Sequence, residues 1–315
     1  MAVLVDTAIF IAGIMAVKND SLAAKLIGSL LIAIAIPRLF ILGHDACHKS
    51  LFRDATINRL IGRLLFCPSL TPYCMWELGH NGVHHGYTNL KGRDFVWTPL
   101  SPGEYQALTP ARRFRERLYR SIWGTGAYYA IEIWLKKILF PPIEVLRSRA
   151  ASFVCDITLC VMFTALWLFL LSANDMQSTT VNWLIGFLVP FAVWLWLIGV
   201  VIYVHHTHPR VVWYVERKEW RQSLVSASTT VFVRFPVWVD WLLHNIMQHP
   251  AHHLHVGIPF YNLRAANEAL SQRRDLSFVI STFSPGRHLA ITKTCQLYDY
   301  QHKQWLPFSK GIEAK

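Results

Sequence analysis

Residues 181–204 read VNWLIGFLVPFAVWLWLIGVVIYV, contain no charged residue, and run directly into His205-His206-Thr207-His208. A helix that crosses a bilayer needs about 20 consecutive apolar residues. This stretch therefore predicts a membrane-spanning helix, and it places candidate metal-binding side chains at the point where that helix leaves the membrane.

Three other segments are apolar enough to enter a membrane, namely residues 3–17, 22–43 and 151–172. Short connectors join the first pair of segments and the second pair, so we expect two helical hairpins. The segment 3–17 lacks the basic start and the cleavage site of a signal peptide, and we expect it to be a membrane anchor. Only 16% of all residues are charged, against about 25% in soluble domains, which also favours an integral membrane protein.

The basic residues are concentrated in two segments. Of the 31 lysines and arginines, 15 lie in residues 44–150 and 13 in residues 205–315. Because basic loops stay on the cytoplasmic side, we expect both segments to be cytoplasmic, in a bacterial inner membrane or an equivalent one. The net charge of +12 is not accompanied by a nucleic-acid-binding motif, so nucleic acid is excluded as a partner.

These features predict one all-α integral membrane domain over residues 1–315, with four transmembrane helices in two hairpins and a cytoplasmic helical cap. No linker or repeat divides the chain. Two aromatic segments, residues 122–140 and 237–247, are too polar at their flanks to cross the membrane, and we expect interfacial helices there. The six cysteines form no C-x-x-C pair and are expected to be free thiols in a reducing compartment.

Thirteen of the fifteen histidines fall in two windows, residues 44–85 and 205–255, and each window begins where an apolar span ends. Three groups within them have regular spacing: His44/His48, His80/His84/His85 and His249/His252/His253. Helical residues three or four apart share one face, so their imidazoles can bind one ion. Adjacent histidines point about 100° apart and can bind two different ions. The pattern predicts a two-metal site at the cytoplasmic ends of the spans, and the outlying His288 and His302 are expected to be structural.

Several other metal sites do not fit this pattern. The cysteines supply no zinc-ligand spacing, and without H-E-x-x-H the base of a zinc metalloprotease is missing. Bis-histidine haem sites lie inside apolar spans, whereas these histidines lie at the ends of spans. Imidazole suits iron, and two irons at a membrane surface indicate oxygen activation directed at a lipidic substrate.

The three groups resemble the histidine boxes of the membrane fatty acid desaturase and hydroxylase superfamily, with H-x-x-x-H at residues 44–48, H-x-x-x-H-H at 80–85 and H-x-x-H-H at 249–253. Among its members the chain is most similar to acyl desaturases of the omega-6 (delta-12) type. This likeness extends over about residues 35–270. It is carried by Gly43-His44-Asp45-Ala46-Cys47-His48, by Tyr203-Val204-His205-His206-Thr207-His208-Pro209 and by Pro259-Phe260-Tyr261-Asn262.

The resemblance implies two iron ions (Fe2+/Fe3+), O2 as co-substrate, and a set of histidines that bind the metal and carry the catalysis. This set is His44, His48, His80, His84, His85, His206, His249, His252 and His253. His206 is the expected ninth ligand, and His205, His208 and His244 remain alternatives. Metal-binding histidines need a hydrogen-bond partner on their other ring nitrogen. The candidates for this role are Asp45, Asp94, Asp240, Asn81 and Asn245, with Asp240 one turn before His244.

The resemblance further implies a fatty acyl desaturase with an external electron carrier. The cytochrome b5 motif His-Pro-Gly-Gly does not occur, so a ferredoxin or a free cytochrome b5 is the expected donor, steered by the basic face. The acyl substrate can be linked to lipid, coenzyme A or a carrier protein, and the membrane lipid is itself a partner. A hydroxylase or another lipid oxidase would use the same ligands, and a membrane metal transporter or a haem-binding protein is the alternative from a different class.

Overall fold

The structure is a computed structural model and describes residues 1–273 and 278–310. Its helices are α1 (Ala2–Val17), α2 (Leu22–Cys47), α3 (Ala55–Phe66), α4 (Tyr73–Trp76), α5 (His85–Tyr87), α6 (Pro102–Gln106), α7 (Pro110–Tyr119), α8 (Thr125–Tyr128), α9 (Ile143–Arg147), α10 (Ala150–Leu171), α11 (Met176–Trp183), α12 (Val189–His206), α13 (Arg217–Gln222), α14 (Val225–Thr229), α15 (Val237–Leu242), α16 (His249–Leu254), α17 (Phe260–Ser271) and α18 (Pro285–Thr294). Glu77–His84, Tyr129–Leu139 and Leu184–Leu188 are wound as π-helix, and Cys67–Ser69 is a 3₁₀ turn. The strands are β1 (Val231–Arg234), β2 (Val279–Thr282), β3 (Leu297–Asp299) and β4 (Gln304–Leu306).

Three of the described helices are long and apolar enough to cross a membrane. They are α2, α10 and the continuous helix Met176–His206, which joins α11, a π-helical stretch and α12. They correspond to the predicted spans 22–43, 151–172 and 181–204. The predicted span at residues 3–17 is helical as α1, but its 16 residues fall short of the roughly 20 that a bilayer requires, so a fourth span stays a prediction.

The described residues form two compact units. The first comprises Met1–Leu78, Trp134–Leu197 and Leu242–His244, and the second comprises Gly79–Ile133, Ile198–Trp241 and the described part of Asn245–Lys315. That the chain acts as one domain stays a prediction.

In the first unit α1 and α2 pack closely at a pair of glycines. A β-carbon on Gly28 would lie 2.6 Å from the carbonyl oxygen of Gly13 and 2.7 Å from the amide nitrogen of Val17. Small residues at such a crossing let membrane helices approach each other, where dispersion contacts rather than the hydrophobic effect hold them together. The glycine pair thus sets the spacing of the first hairpin.

Gly28→Ala is expected to lower the stability of the protein in detergent by about 1–3 kcal/mol, because the added methyl group collides with backbone atoms that cannot rotate away. The midpoint of thermal or denaturant unfolding measures the loss. Gly103→Ala is the matched control, since a β-carbon at Gly103 would meet no described atom within 4 Å. Equal stability of the two variants would contradict the close crossing.

Polar side chains in the apolar helices have partners in the same unit. The ammonium group of Lys25 donates to the carbonyl oxygen of Val17 at 2.9 Å and to Oδ1 of Asn182 at 2.6 Å. The carboxylate of Asp156, in α10, accepts from the backbone N–H of Cys74 at 2.7 Å. These residues interrupt the apolar sequence, but they face protein rather than lipid, as polar groups in membrane helices usually do.

The second unit combines short strands with an aromatic core. β1 and β2 pair in parallel, and β3 and β4 pair antiparallel. The ring of Trp97 stacks on Tyr128 with centroids 3.9 Å apart and meets the ring of Tyr203 edge-on at 4.7 Å. Because Tyr203 lies in the last turn of α12, this packing fixes the end of the helix from which His206 projects.

The structure corrects two details of the predicted cap. The cap contains strands as well as helices, because runs of three or four residues are too short to show a strand's alternation in the sequence. The helix expected over residues 237–247 is shorter than predicted. α15 ends at Leu242, and His244 and Asn245 follow with φ angles of +46° and +57°, which a right-handed helix cannot contain.

Candidate metal centre

The first histidine box lies at the end of the second apolar helix. His44 is in the last turn of α2 and His48 caps it, with their ring centroids 4.6 Å apart. Nδ1 of His44 lies 3.4 Å from a carboxylate oxygen of Asp45, one of the predicted hydrogen-bond partners. Both histidines belong to the first unit, and their i, i+4 spacing brings the two rings together as predicted.

The second box is wound differently from the α-helix that its spacing predicts. Glu77–His84 is a π-helix, in which hydrogen bonds join residues five apart. His80 therefore lies with His85, five residues on, and their Nε2 atoms are 3.1 Å apart. This differs from the i, i+4 pairing of His80 with His84 that an α-helix would give. His84 turns to a different group.

Four histidines of the second unit come together in what we call the four-histidine group. Its members are His84, His206, His249 and His253, and their candidate ligand atoms all lie within 4.8 Å of one another. Nε2 of His206 is 3.1 Å from Nε2 of His84 and 2.9 Å from Nε2 of His249. The group draws on the second box, the end of α12 and α16, which are distant in sequence.

Hydrogen bonds on the outer ring nitrogens determine which nitrogen faces the centre of this group. Nδ1 of His84 donates to the carboxylate of Asp94 at 3.1 Å. Nδ1 of His206 donates to the backbone carbonyl oxygen of Thr229, also at 3.1 Å. A carboxylate and a carbonyl oxygen can only accept, so Nδ1 carries the proton in both rings and Nε2 carries a lone pair.

Thr88 has the same effect on a third ring. Its hydroxyl donates to the carbonyl oxygen of His84 at 2.7 Å, which leaves Oγ1 to accept from Nδ1 of His253 at 3.3 Å. Nε2 of His253 is buried and has no hydrogen-bond partner among the described residues. Three of the four imidazoles therefore turn an unprotonated Nε2 toward the others.

This arrangement fits a metal ion. The lone pairs of His84 and His206 face each other at 3.1 Å with no proton between them, and a cation bound by both nitrogens removes their repulsion. Burial, and after it the neighbouring histidines, lower the pKa of His249 and His253 well below the ordinary value. Both rings are thus neutral at neutral pH, which is the form of imidazole that binds iron and other transition metals.

The lowered pKa values predict how the stability of the metal-free protein depends on pH. Unfolded, His249 and His253 take up protons near their ordinary pKa of 6.5, whereas in the folded protein they stay neutral. Below that pH the unfolded state binds more protons, so the free energy of unfolding falls as the pH falls, by up to about 1.4 kcal/mol per pH unit for each residue. Denaturant titration across this pH range measures the slope, and His249→Gln should make it shallower. An equal slope in the variant would contradict the lowered pKa.

A second histidine group includes His80, His85 and His252, which lie in the same unit. Nε2 of His85 is 3.1 Å from Nε2 of His80 and 3.0 Å from Nε2 of His252. The neighbours His84 and His85 thus contribute to different groups, and so do His252 and His253. This division is what two metal ions require, and it was the reason for predicting two ions from the doublets.

The alternatives for the ninth ligand lie in different surroundings. The ring of His205 stacks on that of His249 with centroids 3.8 Å apart. Nδ1 of His208 accepts from the backbone N–H of Arg210 at 3.2 Å. His206 is the one of these three whose ring belongs to the four-histidine group, and that it binds metal stays a prediction.

His244 has a different partner from the one expected. Its Nε2 donates to Oδ2 of Asp6 at 2.6 Å. Asp240, the predicted partner, instead accepts from Nε2 of Gln248 at 3.0 Å. The expected pairing assumed a continuous helix through residue 244, and the left-handed turn there carries the imidazole away from Asp240.

Two contacts of the four-histidine group were not predicted from the sequence. Thr88 stands four residues after His84, the spacing at which a hydroxyl bonds back to a helix carbonyl, and that spacing was an available signal. Thr229 contributes a backbone carbonyl oxygen, which no residue type could reveal.

His302, expected to be structural, pairs with Asp299 at 2.7 Å on the surface.

The amino-acid sequence was compared with those of known proteins, and several relatives cover most of the chain. The sequence profile described as "Fatty acid desaturase" matches residues 21–279. The chain is 33% identical over 270 residues to the sn-1 oleoyl-lipid 12-desaturase of Picosynechococcus sp., covering 84% of this chain and 74% of that protein. The 12-desaturase of Synechocystis sp. is 30% identical, over 85% of this chain and 74% of its own. The chloroplastic omega-6 fatty acid desaturase of Spinacia oleracea is 28% identical over 88% of this chain, which spans 60% of that longer protein.

Proposed function

Because the chain belongs to the fatty acid desaturase family, we propose that it inserts a second double bond into an oleoyl chain carried by a membrane lipid, in the manner of an omega-6 (delta-12) desaturase. The observation that carries the proposal is the four-histidine group, in which three rings hold an unprotonated Nε2 toward the others. The lipid-linked oleoyl group and the bond position are supported by the names of the cyanobacterial relatives.

We propose that the metal is iron and that two ions are bound. The four-histidine group would hold one ion. His80, His85 and His252 would hold the other, and His44 and His48 of the first box stay predicted metal ligands. Bound iron would supply the oxygen chemistry that removes two hydrogens from neighbouring methylenes, consuming one dioxygen, two electrons and two protons and releasing two waters.

The protein's own residues prepare this site in two ways. Asp94, Thr88 and the Thr229 carbonyl keep the protons on the outer nitrogens, so the inner nitrogens are ready to bind without a proton transfer. Burial keeps bulk water from His206 and His249, which strengthens every electrostatic interaction within the group.

The proposal also includes an orientation in the membrane and a class of electron donor. We infer that the histidine boxes face the cytoplasm, because the basic segments 44–150 and 205–315 flank the apolar helices. Exposed arginines on α7, such as Arg112 and Arg115, would attract an acidic carrier of the ferredoxin or cytochrome b5 type.

Expression in a bacterium whose lipids carry oleoyl but no dienoic chains, together with a ferredoxin and its reductase, tests the proposal. Mass spectrometry of the acyl chains is expected to show a diene with the new double bond at the omega-6 position. A hydroxylated chain would identify the rival reaction of the same ligand set. Unchanged lipids, with electron transfer to the protein demonstrated, would overturn it. Purified protein supplied with either oleoyl-lipid vesicles or oleoyl-coenzyme A separates the two carriers.

A further inference from the structure

A polar cluster of three side chains lies in the first unit and belongs to neither histidine group. The carboxylate of Asp6, in α1, accepts from Nε of Arg38, in α2, at 2.7 Å through one oxygen. Through the other it accepts from Nε2 of His244 at 2.6 Å. A terminal nitrogen of Arg38 also donates to the backbone carbonyl oxygen of Leu242 at 2.9 Å. Two hydrogen bonds thus join the segment Leu242–His244 to the first helical hairpin.

The cluster is buried, which makes these bonds costly to break. Asp6 has no exposed surface, and Arg38 and His244 are 4% and 5% exposed. A charge in an apolar helix is tolerated only when it is paired, and removing one partner of a buried pair is strongly destabilising. The three side chains are therefore held together, because moving any one of them away would break a buried hydrogen bond.

The segment that the cluster holds has an unfavourable backbone. His244 and Asn245 are consecutive left-handed residues, and neither is glycine. A residue other than glycine is strained in this conformation, and the conformation persists only where surrounding contacts impose it. The bonds from Asp6 to the His244 ring and from Arg38 to the Leu242 carbonyl are contacts of this kind.

The third histidine box begins directly after this turn. The backbone N–H of Gln248 donates to the carbonyl oxygen of Asn245 at 2.9 Å, so a tight turn leads from the held segment to His249, where α16 starts. We propose that Asp6, Arg38 and His244 are positioning residues: they hold the turn in the conformation from which the third box starts, and metal binding by His249, His252 and His253 depends on that conformation. This inference rests on the proposed function only in taking the third box as a metal-binding element.

The test uses substitutions that separate the hydrogen bond from the backbone conformation. His244→Asn tolerates the left-handed conformation but is too short to reach Asp6. His244→Gln is longer and can still donate to Asp6. The double substitution Asp6→Leu with Arg38→Leu removes both bonds to the turn and both members of the ion pair together, and such replacements are often neutral for stability.

Two readouts on the purified protein decide the outcome. Hydrogen exchange of the metal-free protein should become faster over residues 245–255 in His244→Asn and in the Leu pair, but not in His244→Gln. Iron titration should show affinity about tenfold weaker in the first two variants and close to wild type in the third. Gly103→Ala serves as a control that alters neither readout.

The proposal is overturned if His244→Asn keeps wild-type exchange and wild-type iron affinity. If His244 is itself a metal ligand, the Leu pair will retain iron while both His244 variants lose it, which also contradicts a positioning role. The exchange measurement needs no substrate and no turnover. A wild-type protein that forms no diene would therefore defeat the proposed desaturation and leave this test intact.

Discussion

His206→Ala is expected to lower double-bond formation at least about a hundredfold and to remove one of the two iron ions. Nε2 of His206 lies 3.1 Å from that of His84 and 2.9 Å from that of His249, so this ring contacts more of the four-histidine group than its neighbours on α12 do. Losing a hydrogen-bond partner of a metal ligand already costs 10–100-fold in affinity or activity, and losing the ligand itself costs more. Diene yield in cells and iron content of the purified protein measure the two effects.

His208→Ala is the matched control, because this ring lies two residues further on and bonds to the Arg210 backbone instead. The control should keep its iron and its product. If His208→Ala loses iron while His206→Ala keeps it, the assignment of the ninth ligand is wrong.

Asp94→Asn is expected to weaken iron binding and activity by about 10–100-fold. The carboxylate of Asp94 accepts from Nδ1 of His84 and from the backbone N–H groups of Asn89 and Val96. An amide has only one accepting oxygen, so at least one of these three donors would face an NH2 group. The His84 ring then loses the bond that fixes its proton on the outer nitrogen.

The comparison variant for this experiment is Asp299→Asn. Asp299 also pairs with a histidine, His302, but on the surface and outside both histidine groups. It should leave iron affinity unchanged. If Asp94→Asn binds iron as tightly as the wild type, the hydrogen bond from Nδ1 of His84 to Asp94 does not affect the iron affinity.

The sequence predicted the chemistry of the site better than its local geometry. The three boxes were found because metal binding demands histidines at fixed spacing, and the doublets His84-His85 and His252-His253 correctly divide between two groups. The π-helix of the second box was not predicted, because a change from hydrogen bonds four residues apart to bonds five apart requires no particular residue type. The spacing of Thr88 from His84 was a readable signal, whereas the Thr229 carbonyl reaches His206 through a tertiary contact that no residue type reveals.

The membrane helices were also predictable, but only where their composition is unambiguous. α2, α10 and the helix Met176–His206 carry long uncharged runs, so their existence follows from hydropathy. The role of Asp6 did not follow, since a carboxylate in an apolar stretch has no readable partner until Arg38 and His244 are placed beside it. α15 likewise ends at Leu242 where the sequence has no glycine or proline to mark the end of a helix.

The metal content of purified wild-type protein, measured by elemental analysis and Mössbauer spectroscopy, tests the central claim directly. Two iron ions per chain are expected, one for each histidine group. A single ion per chain, or stoichiometric zinc with no iron after growth in iron-replete medium, would contradict it.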